Sequence, residues 1–219
     1  MNVALDHVII CCDEGGPEAG ALTGLGLTEG SSNVHLGQGT RNRRFFFENA
    51  YLELVWVDDL AEAKREPARS TRLWERWLRR REGACPFGIA LRPVVPDEAA
   101  AAPFPTWAYH APYLPAQVSL GIALSTPLRG PEFLYVPFAT PPKSKGLEPL
   151  SHPLGVRELT GVRIAMPGAS AARSPAADAV AALGLLETYD APDYVMELTF
   201  DRGERGQSAT PVPQLLIHW

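Results

Sequence analysis

The N-terminal part of the chain consists of short apolar and β-branched runs separated by turn residues. This pattern predicts strands over 3–11, 33–37, 43–49 and 51–58. Between the first two strands, apolar residues recur at helical spacing over 18–27, although internal glycines weaken that helix. The predicted order of elements is therefore β-α-β-β-β.

The most regular helical pattern covers 60–82, with Ser70 as the predicted N-cap of its second part and Gly83 at its end. Its apolar stripe consists of Leu73, Trp74, Trp77 and Leu78. The same segment carries a set of arginines, namely Arg72, Arg76, Arg79, Arg80 and Arg81. Because Glu75 and Glu82 interrupt them and the whole chain is acidic, we interpret these arginines as the solvated face of a linker helix rather than a nucleic-acid-binding patch.

The rest of the chain repeats the same kinds of segment. Strands are predicted over 85–93, 118–127, 132–138, 158–167, 194–201 and 213–219. Helices are predicted over 97–102 and over 174–187, the latter with Ser174 as N-cap and Pro175 in its first turn. The Pro- and aromatic-rich segment 103–115 predicts an irregular loop.

Segments near the two ends of the chain match each other in order. Residues 5–11 align with 159–165, 21–29 with 179–187, and 51–56 with 214–219. The middle of the chain repeats the order of elements more loosely, and such repeats indicate similar modules packed together. The predicted division is a first module at 1–58, a linker helix at 59–85, a divergent second module at 86–145 and a third partial module at 146–219. We expect the first two modules to share one curved sheet.

Composition narrows the classes of function. The chain has 20 Lys and Arg against 25 Asp and Glu, a net charge of −5 that disfavours a general polyanion binder. Its 21 Pro and 19 Gly predict many turns and exclude a helical bundle. Three cysteines, two of them adjacent (Cys11 and Cys12), form no disulfide framework, and we interpret these two as small core residues. Without a long apolar run or a basic leader, a cytoplasmic protein without membrane or nucleic-acid partners is expected.

Three stretches carry a family resemblance: LDHVII at 5–10, GTRNRRFFFENAYLELVWVDD at 39–59, and SHPLG at 151–155. They resemble the glyoxalase-like domain proteins of the vicinal oxygen chelate superfamily. The resemblance implies an α+β fold, in which repeated βαβββ modules form strongly curved mixed sheets, a half-open barrel, with helices outside. It also implies a divalent metal ion (Zn, Mn, Fe or Ni) held by a His on the first strand of a module and a Glu on its last strand. His7 and Glu53 stand at those places, and Glu53 is also the expected catalytic residue.

The strand pattern agrees with a shared polar site for this pair. His7 is in phase with Val3, Leu5 and Ile9, and Glu53 is in phase with three apolar residues, Tyr51, Val55 and Val57. Each is thus a polar residue on an apolar face. Imidazole and carboxylate groups are suitable metal ligands, and a buried carboxylate needs a partner in any case. We expect the two side chains to point into one cavity.

Two ligands do not complete a metal site, and the other modules do not supply the rest. His7 aligns with Gly161 and Gly88, whereas Glu53 aligns with Leu216 and with Tyr135 or Val136. The remaining histidines are His35, His110, His152 and His218, none at a position that the resemblance marks. We therefore expect less than one tightly bound transition metal ion per chain, and no nucleotide cofactor.

Further candidates lie in turns and loops. Arg41 and Asn42 belong to a turn that resembles a glyoxalase-like Gly-Thr-x-Asn turn, where an arginine binds a substrate carboxylate or is simply solvated. The stretch His-Pro-Leu-Gly at 152–155 resembles the family's His-Pro-Asn-Gly motif, with Leu154 in place of Asn. The resemblance implies that His152 is an acid–base group or substrate contact at the barrel mouth, whereas the alternative is a turn before a strand. Trp107 and Tyr109 either line an aromatic ligand pocket or fill the edge of the core.

Two hypotheses for the function follow. One is a metal-dependent enzyme of the lyase, isomerase or dioxygenase type, in which the ion polarises oxygens of a small substrate. The other is a metal-free module that binds a small molecule, a drug or metabolite, inside the curved sheet. The expected partner is a small-molecule ligand in both, and a homodimer is one expected assembly.

Overall fold

The computed structural model describes residues 2–95 and 101–219, so most of the helix predicted over 97–102 lies outside the described residues. The strands are β1 Val3–Cys11, β2 Val34–His35, β3 Thr40–Phe46, β4 Tyr51–Val57, β5 Phe87–Pro93, β6 Thr106–Tyr109, β7 Leu120–Ala123, β8 Glu132–Tyr135, β9 Leu159–Met166, β10 Glu187–Asp190, β11 Val195–Phe200, β12 Ser208–Val212 and β13 Leu215–His218. The helices are α1 Glu18–Leu25, α2 Leu60–Ala63, α3 Leu73–Arg79, α4 Pro142–Lys145 and α5 Pro175–Ala182. In the described residues, no helix is long and apolar enough to cross a bilayer.

Strands of the first two predicted modules form one eight-stranded sheet with the order β2-β3-β4-β1-β5-β8-β7-β6. In each half the first strand is parallel to the last, since β1 pairs with β4 and β5 with β8. The two halves meet where β1 runs antiparallel to β5. The sheet curls into a half-barrel. The predicted α+β class and the sharing of one curved sheet are therefore confirmed.

The segment 103–115 is not wholly irregular, because β6 pairs with β7 along the edge of the sheet. Prolines Pro103 and Pro105 precede this strand and hid it from the sequence pattern. The structure thus places Trp107 and Tyr109 on a strand rather than in a loop.

A second, five-stranded sheet has the order β10-β9-β11-β13-β12. Here β9 pairs in parallel with β10 and antiparallel with β11, whereas β13 is parallel to β11. The alignment of 51–56 with 214–219 is therefore wrong, because β4 borders β1 but β13 does not border β9. The sequence pattern also missed β10 and β12, which are short and half-exposed.

One hydrophobic core joins the two sheets. It combines Val8 and Ile10 of β1 with Val162 and Ile164 of β9. Leu22 of α1 is also fully buried in this cluster. Because strand side chains alternate, the residues between these positions face the other side of each sheet. On the eight-stranded sheet, that other side is the interior of the curl.

The helix predicted over 60–82 is broken into α2, a 3-10 turn at Ala68–Thr71, and α3. Arg72 has a positive φ of 58° immediately before α3, so the predicted cap at Ser70 is wrong. The interpretation of Arg76 as solvated is also wrong: its guanidinium is buried and donates to the carbonyls of Cys85, Leu128 and Gly130. By contrast, the Ser174 cap of α5 is confirmed, since its Oγ accepts from Ala177 N at 3.1 Å.

Candidate functional site

A β-bulge at Asp6 changes the face of the sheet to which the following side chains of β1 point. Leu5 pairs with Leu91 and His7 with Ala90, so Asp6 is an extra residue in β1. On either side of the bulge the alternation changes phase: Val3 and Leu5 pack in the core, whereas His7 faces the curl together with Ile9 and Cys11. The prediction that His7 is in phase with Val3 and Leu5 is therefore wrong. The bulge is what turns His7 inward.

The interior of the curled sheet contains a cavity of about 270 Å³. One side, which we call the polar wall, consists of His7, His35, Gln38, Asn42, Glu53 and Tyr109. The cavity also has apolar lining residues, which we call the apolar wall: Ile9 and Val55, two residues from His7 and Glu53 on the same strands, and Phe87, Leu114, Leu120, Leu134, Val136 and Phe138. The two predicted ligands, His7 and Glu53, thus line one cavity.

His7 is held in one orientation by its neighbours. Its Nδ1 lies 2.7 Å from Asp6 Oδ2, so that Nδ1 carries a hydrogen and donates to the carboxylate. The imidazole stacks on Tyr51, with 4.3 Å between ring centroids. Its second nitrogen, Nε2, then lies 3.5 Å from Glu53 Oε2. On the far side of Asp6, Arg92 Nε lies 3.7 Å from Oδ1 and balances the buried charge.

Glu53 is positioned from the other side by Asn42. Asn42 Nδ2 donates to Glu53 Oε1 at 2.5 Å, and Asn42 Oδ1 accepts from Asn33 N at 2.6 Å. These bonds fix the amide orientation and leave Oε2 as the Glu53 atom nearest His7. The polar wall is thus organised before any ligand binds.

The hydrogen-bond network continues to the edge of the sheet. His35 Nδ1 lies 2.9 Å from Thr40 Oγ1, which also accepts from Gln38 Nε2 at 2.9 Å. Tyr109 OH donates to Gln38 Oε1 at 2.8 Å and so joins β6 to the turn between β2 and β3. His35 also stacks on Tyr113 at 4.5 Å, and its burial lowers the pKa of His35. The two edges of the curled sheet are therefore in contact.

At the opposite end of the cavity the structure brings together Glu132 and Arg76, which sequence reasoning missed. Arg76 Nε lies 3.6 Å from Glu132 Oε2, and both side chains are buried. Burial raises the pKa of Glu132, against the lowering effect of Arg76. The alignment had matched Glu53 with Tyr135 or Val136. The sequence did mark Glu132 as the first residue of a predicted strand. Its position in the cavity becomes apparent only from the pairing register of β5 with β8.

The residues present do not fit a protein-held metal ion. His7 Nε2 and Glu53 Oε2 could provide two ligands, but Gly88 and Ala90 on the neighbouring strand carry no donor atoms. Within residues 2–95 and 101–219, no three His, Cys, Asp or Glu side chains are placed to hold a metal. A catalytic zinc site commonly has three protein ligands.

The other candidate residues lie outside the cavity, apart from Asn42 and Tyr109. Arg41 Nε pairs with Asp58 at 2.7 Å and its side chain is 46% exposed. Trp107 packs edge-on against Tyr109, with 5.8 Å between ring centroids. His152 is buried where its Nδ1 accepts from Thr28 N and its Nε2 donates to Phe46 O, at 3.0 and 2.9 Å.

The cysteines are buried free thiols, in agreement with the core interpretation. Burial raises the pKa of Cys11 to about 12 and that of Cys85 to about 11. Burial raises the pKa of Cys12 further still, and its Sγ donates to Val55 O. Because thiolates are the reactive form, these groups are poor nucleophiles.

Comparison with known proteins agrees with this fold. A family model described as a glyoxalase-like domain matches residues 5–180. The crystal structure of a hypothetical protein from Staphylococcus aureus is similar with a TM-score of 0.59 and 11% identity, covering 100% of this chain and 99% of that chain. At this identity the similarity shows the fold alone. A search of the curated proteins gave no match.

Proposed function

The chain belongs to the glyoxalase-like domain family of the vicinal oxygen chelate superfamily, and from that premise we propose that it binds a small organic molecule inside its eight-stranded sheet. The observation that carries the proposal is the cavity of about 270 Å³, which is lined by both polar and apolar side chains. Ligand sites commonly combine apolar lining with a few well-placed polar groups, at volumes of about 300–1,000 Å³. The ligand is therefore small.

The apolar wall supplies most of the contact area for such a ligand, and the polar wall sets its orientation. Asn42 and Asp6 hold Glu53 and His7 in place through hydrogen bonds of 2.5 and 2.7 Å. A ligand thus meets acceptor atoms that need little rearrangement, which reduces the entropy lost on binding.

A second candidate function is proton transfer on the bound molecule, favoured by the contact of Asp6 with His7. A base whose other nitrogen is oriented by a carboxylate is the common arrangement for general acid–base catalysis. In this role His7 Nε2 accepts a proton from the ligand, and Asp6 holds the tautomer that leaves Nε2 free to do so. Glu53 Oε2, 3.5 Å away, then stabilises the imidazolium.

The donor count argues against a metal-dependent form of this chemistry. We expect purified protein to carry less than one tightly bound transition metal ion per chain. Metal analysis after gentle purification checks this, together with His7→Ala and Glu53→Ala variants. Stoichiometric metal in the wild type that is lost in both variants would contradict this expectation and support the hypothesis of a metal-dependent enzyme.

The buried free cysteines support a reducing setting for the protein, and a cytoplasmic location is part of the proposal.

Cavity filling tests the binding proposal. Leu134 lines the cavity on β8, whereas Leu216 is a similarly half-buried leucine on β13 outside it. With phenol as the probe in saturation-transfer NMR, we expect Leu134→Phe to weaken binding about tenfold, because the added ring atoms occupy the space of the ligand. Leu216→Phe should bind phenol as the wild type does. Equal binding by all three proteins, or no binding at millimolar phenol, would overturn the proposal.

A further inference from the structure

Two buried glutamates lie in one row across the centre of the curled sheet. Glu53 on β4 pairs with Ile9 on β1, Ile9 pairs with Gly88 on β5, and Gly88 pairs with Glu132 on β8. All four residues line the same cavity, so their side chains project to the same side of the sheet. The two carboxyl groups therefore stand at equivalent places in the two halves of the fold.

The row sets the span between the acids. Three strand spacings of about 4.8 Å give about 14 Å between the backbones of Glu53 and Glu132, measured along the sheet. The curl shortens this distance inside the cavity, since both side chains point inward. Between them lie Ile9, which provides an apolar floor, and Gly88, which has no side chain. The Ile9 side chain lies over Gly88, since a Cβ on Gly88 would stand 3.1 Å from Ile9 Cδ1, so the floor between the acids is apolar.

Each acid retains capacity to accept a hydrogen bond from a ligand. Glu53 Oε1 accepts from Asn42, whereas among the described residues the ion-pair contact of Oε2 is with His7 Nε2, at 3.5 Å. Glu132 has a single ion-pair partner in the described part of the chain, and its 3.6 Å separation from Arg76 Nε is longer than a normal hydrogen bond. The Nη1 of Arg76 donates to backbone carbonyls.

Arginines line the cavity beside both acids. Arg44 pairs directly across from Glu53 in the β3–β4 register, with its Nε 3.0 Å from Ser31 O, and Arg76 adjoins Glu132. A charged ligand would leave one of these groups uncompensated in a buried space. A neutral ligand that donates hydrogen bonds avoids this penalty.

We propose that the row is a two-ended site for a neutral molecule with a hydrogen-bond donor at each end and an apolar ring or chain between them, one donor on Glu53 and the other on Glu132. The class includes aromatic diols and their amino-alcohol or amide equivalents. This proposal rests on the proposed binding function and adds the identity of the ligand's two ends. It makes Glu132 a ligand-contacting residue.

Three para-disubstituted benzenes test the proposal: hydroquinone with two donors, 4-methoxyphenol with one, and 1,4-dimethoxybenzene with none. We measure their dissociation constants by NMR titration. For the wild type we expect affinity to fall at each step, by about tenfold per donor lost, because a hydrogen bond to a charged group contributes on that scale. If all three bind equally, cavity binding survives but the two-ended site is overturned. If none binds, the proposed function itself fails for this ligand size.

Variants separate donor recognition from the steric effect of a methoxy group. Glu132→Gln should reduce the preference for hydroquinone over 4-methoxyphenol several-fold. Glu53→Gln should reduce the same preference by changing the other end of the site. This variant replaces Glu132→Gln in the test if Glu132→Gln does not fold. Glu197→Gln is the matched control, since Glu197 is equally buried but lies on β11 outside the cavity. An unchanged preference in both cavity variants would overturn the assignment of Glu132 and Glu53 as the two ends.

Discussion

Replacing Arg76 with methionine should strongly destabilise the protein, although its sequence context is a run of surface-like arginines. Methionine has an unbranched apolar side chain about as long as the aliphatic part of arginine, but it lacks the guanidinium. In the fold that group is buried, with its Nη1 2.6 Å from Cys85 O and 2.8 Å from Gly130 O. It joins α3 to the start of β5 and to the turn before β8.

The magnitude follows from the groups left behind. Cys85 O and Gly130 O lose a charged donor, whereas Leu128 O keeps the backbone bond from Cys85 N at 2.7 Å. Each buried carbonyl left without a donor costs about 1–3 kcal/mol. Glu132 loses its cation as well, and breaking a buried ion pair costs about 3–5 kcal/mol unless the remaining group becomes neutral. Because burial already raises the pKa of Glu132, this group takes up a proton readily, so the two carbonyls dominate and we expect a total loss of about 2–6 kcal/mol.

Urea unfolding monitored by circular dichroism measures the effect. Arg79→Met is the matched control, because the Arg79 side chain is 54% exposed and its ion pair among the described residues is with Glu75 in the same helix. We expect the control to change the free energy of unfolding by less than about 0.5 kcal/mol. A loss below about 1 kcal/mol in Arg76→Met would refute the argument that the guanidinium holds this end of the cavity.

Two further predictions concern the sheet edges and pH. Tyr109→Phe removes the donor to Gln38 Oε1 that joins the edges, and should lower the free energy of unfolding by about 1 kcal/mol; unchanged urea unfolding would contradict this. Burial lowers the pKa of His152 in the folded state, so the unfolded chain binds its proton first and stability should fall as pH decreases below about 6.5. His152→Gln should flatten that decline in pH-dependent thermal unfolding, and an equal slope in both proteins would argue against it.

The local pattern was sufficient to predict most strands and the sharing of one curved sheet. Alternation and turn residues identify β1, β4 and β5, and the Ser174–Pro175 pair identifies the start of α5. The prediction failed where tertiary contacts decide. The bulge at Asp6, which turns His7 inward, is visible only in the pairing of β1 with β5.

Long-range pairing also explains what was missed in the site. Arg76 is buried because carbonyls distant in sequence surround it, and no amphipathic pattern records their positions. Glu132 lies in the same row as Glu53 because of the strand register. The sequence alignment had placed the equivalent of Glu53 several residues further along β8. His7 and Glu53 were identified from the sequence through the family resemblance. The strand pattern agreed, but it placed His7 in phase with Val3 and Leu5, which the bulge overturns.

The most direct test of the central claim is histidine-ring NMR during addition of hydroquinone. His7 and His35 line the cavity, whereas His152 and His218 lie outside it, so the same spectrum contains both reporters and controls. If the cavity inside the eight-stranded sheet is the binding site, the ring signals of His7 and His35 should move with saturation while those of His152 and His218 stay in place. Saturating shifts at His218, with His7 and His35 unchanged, would place the binding site elsewhere and contradict the account.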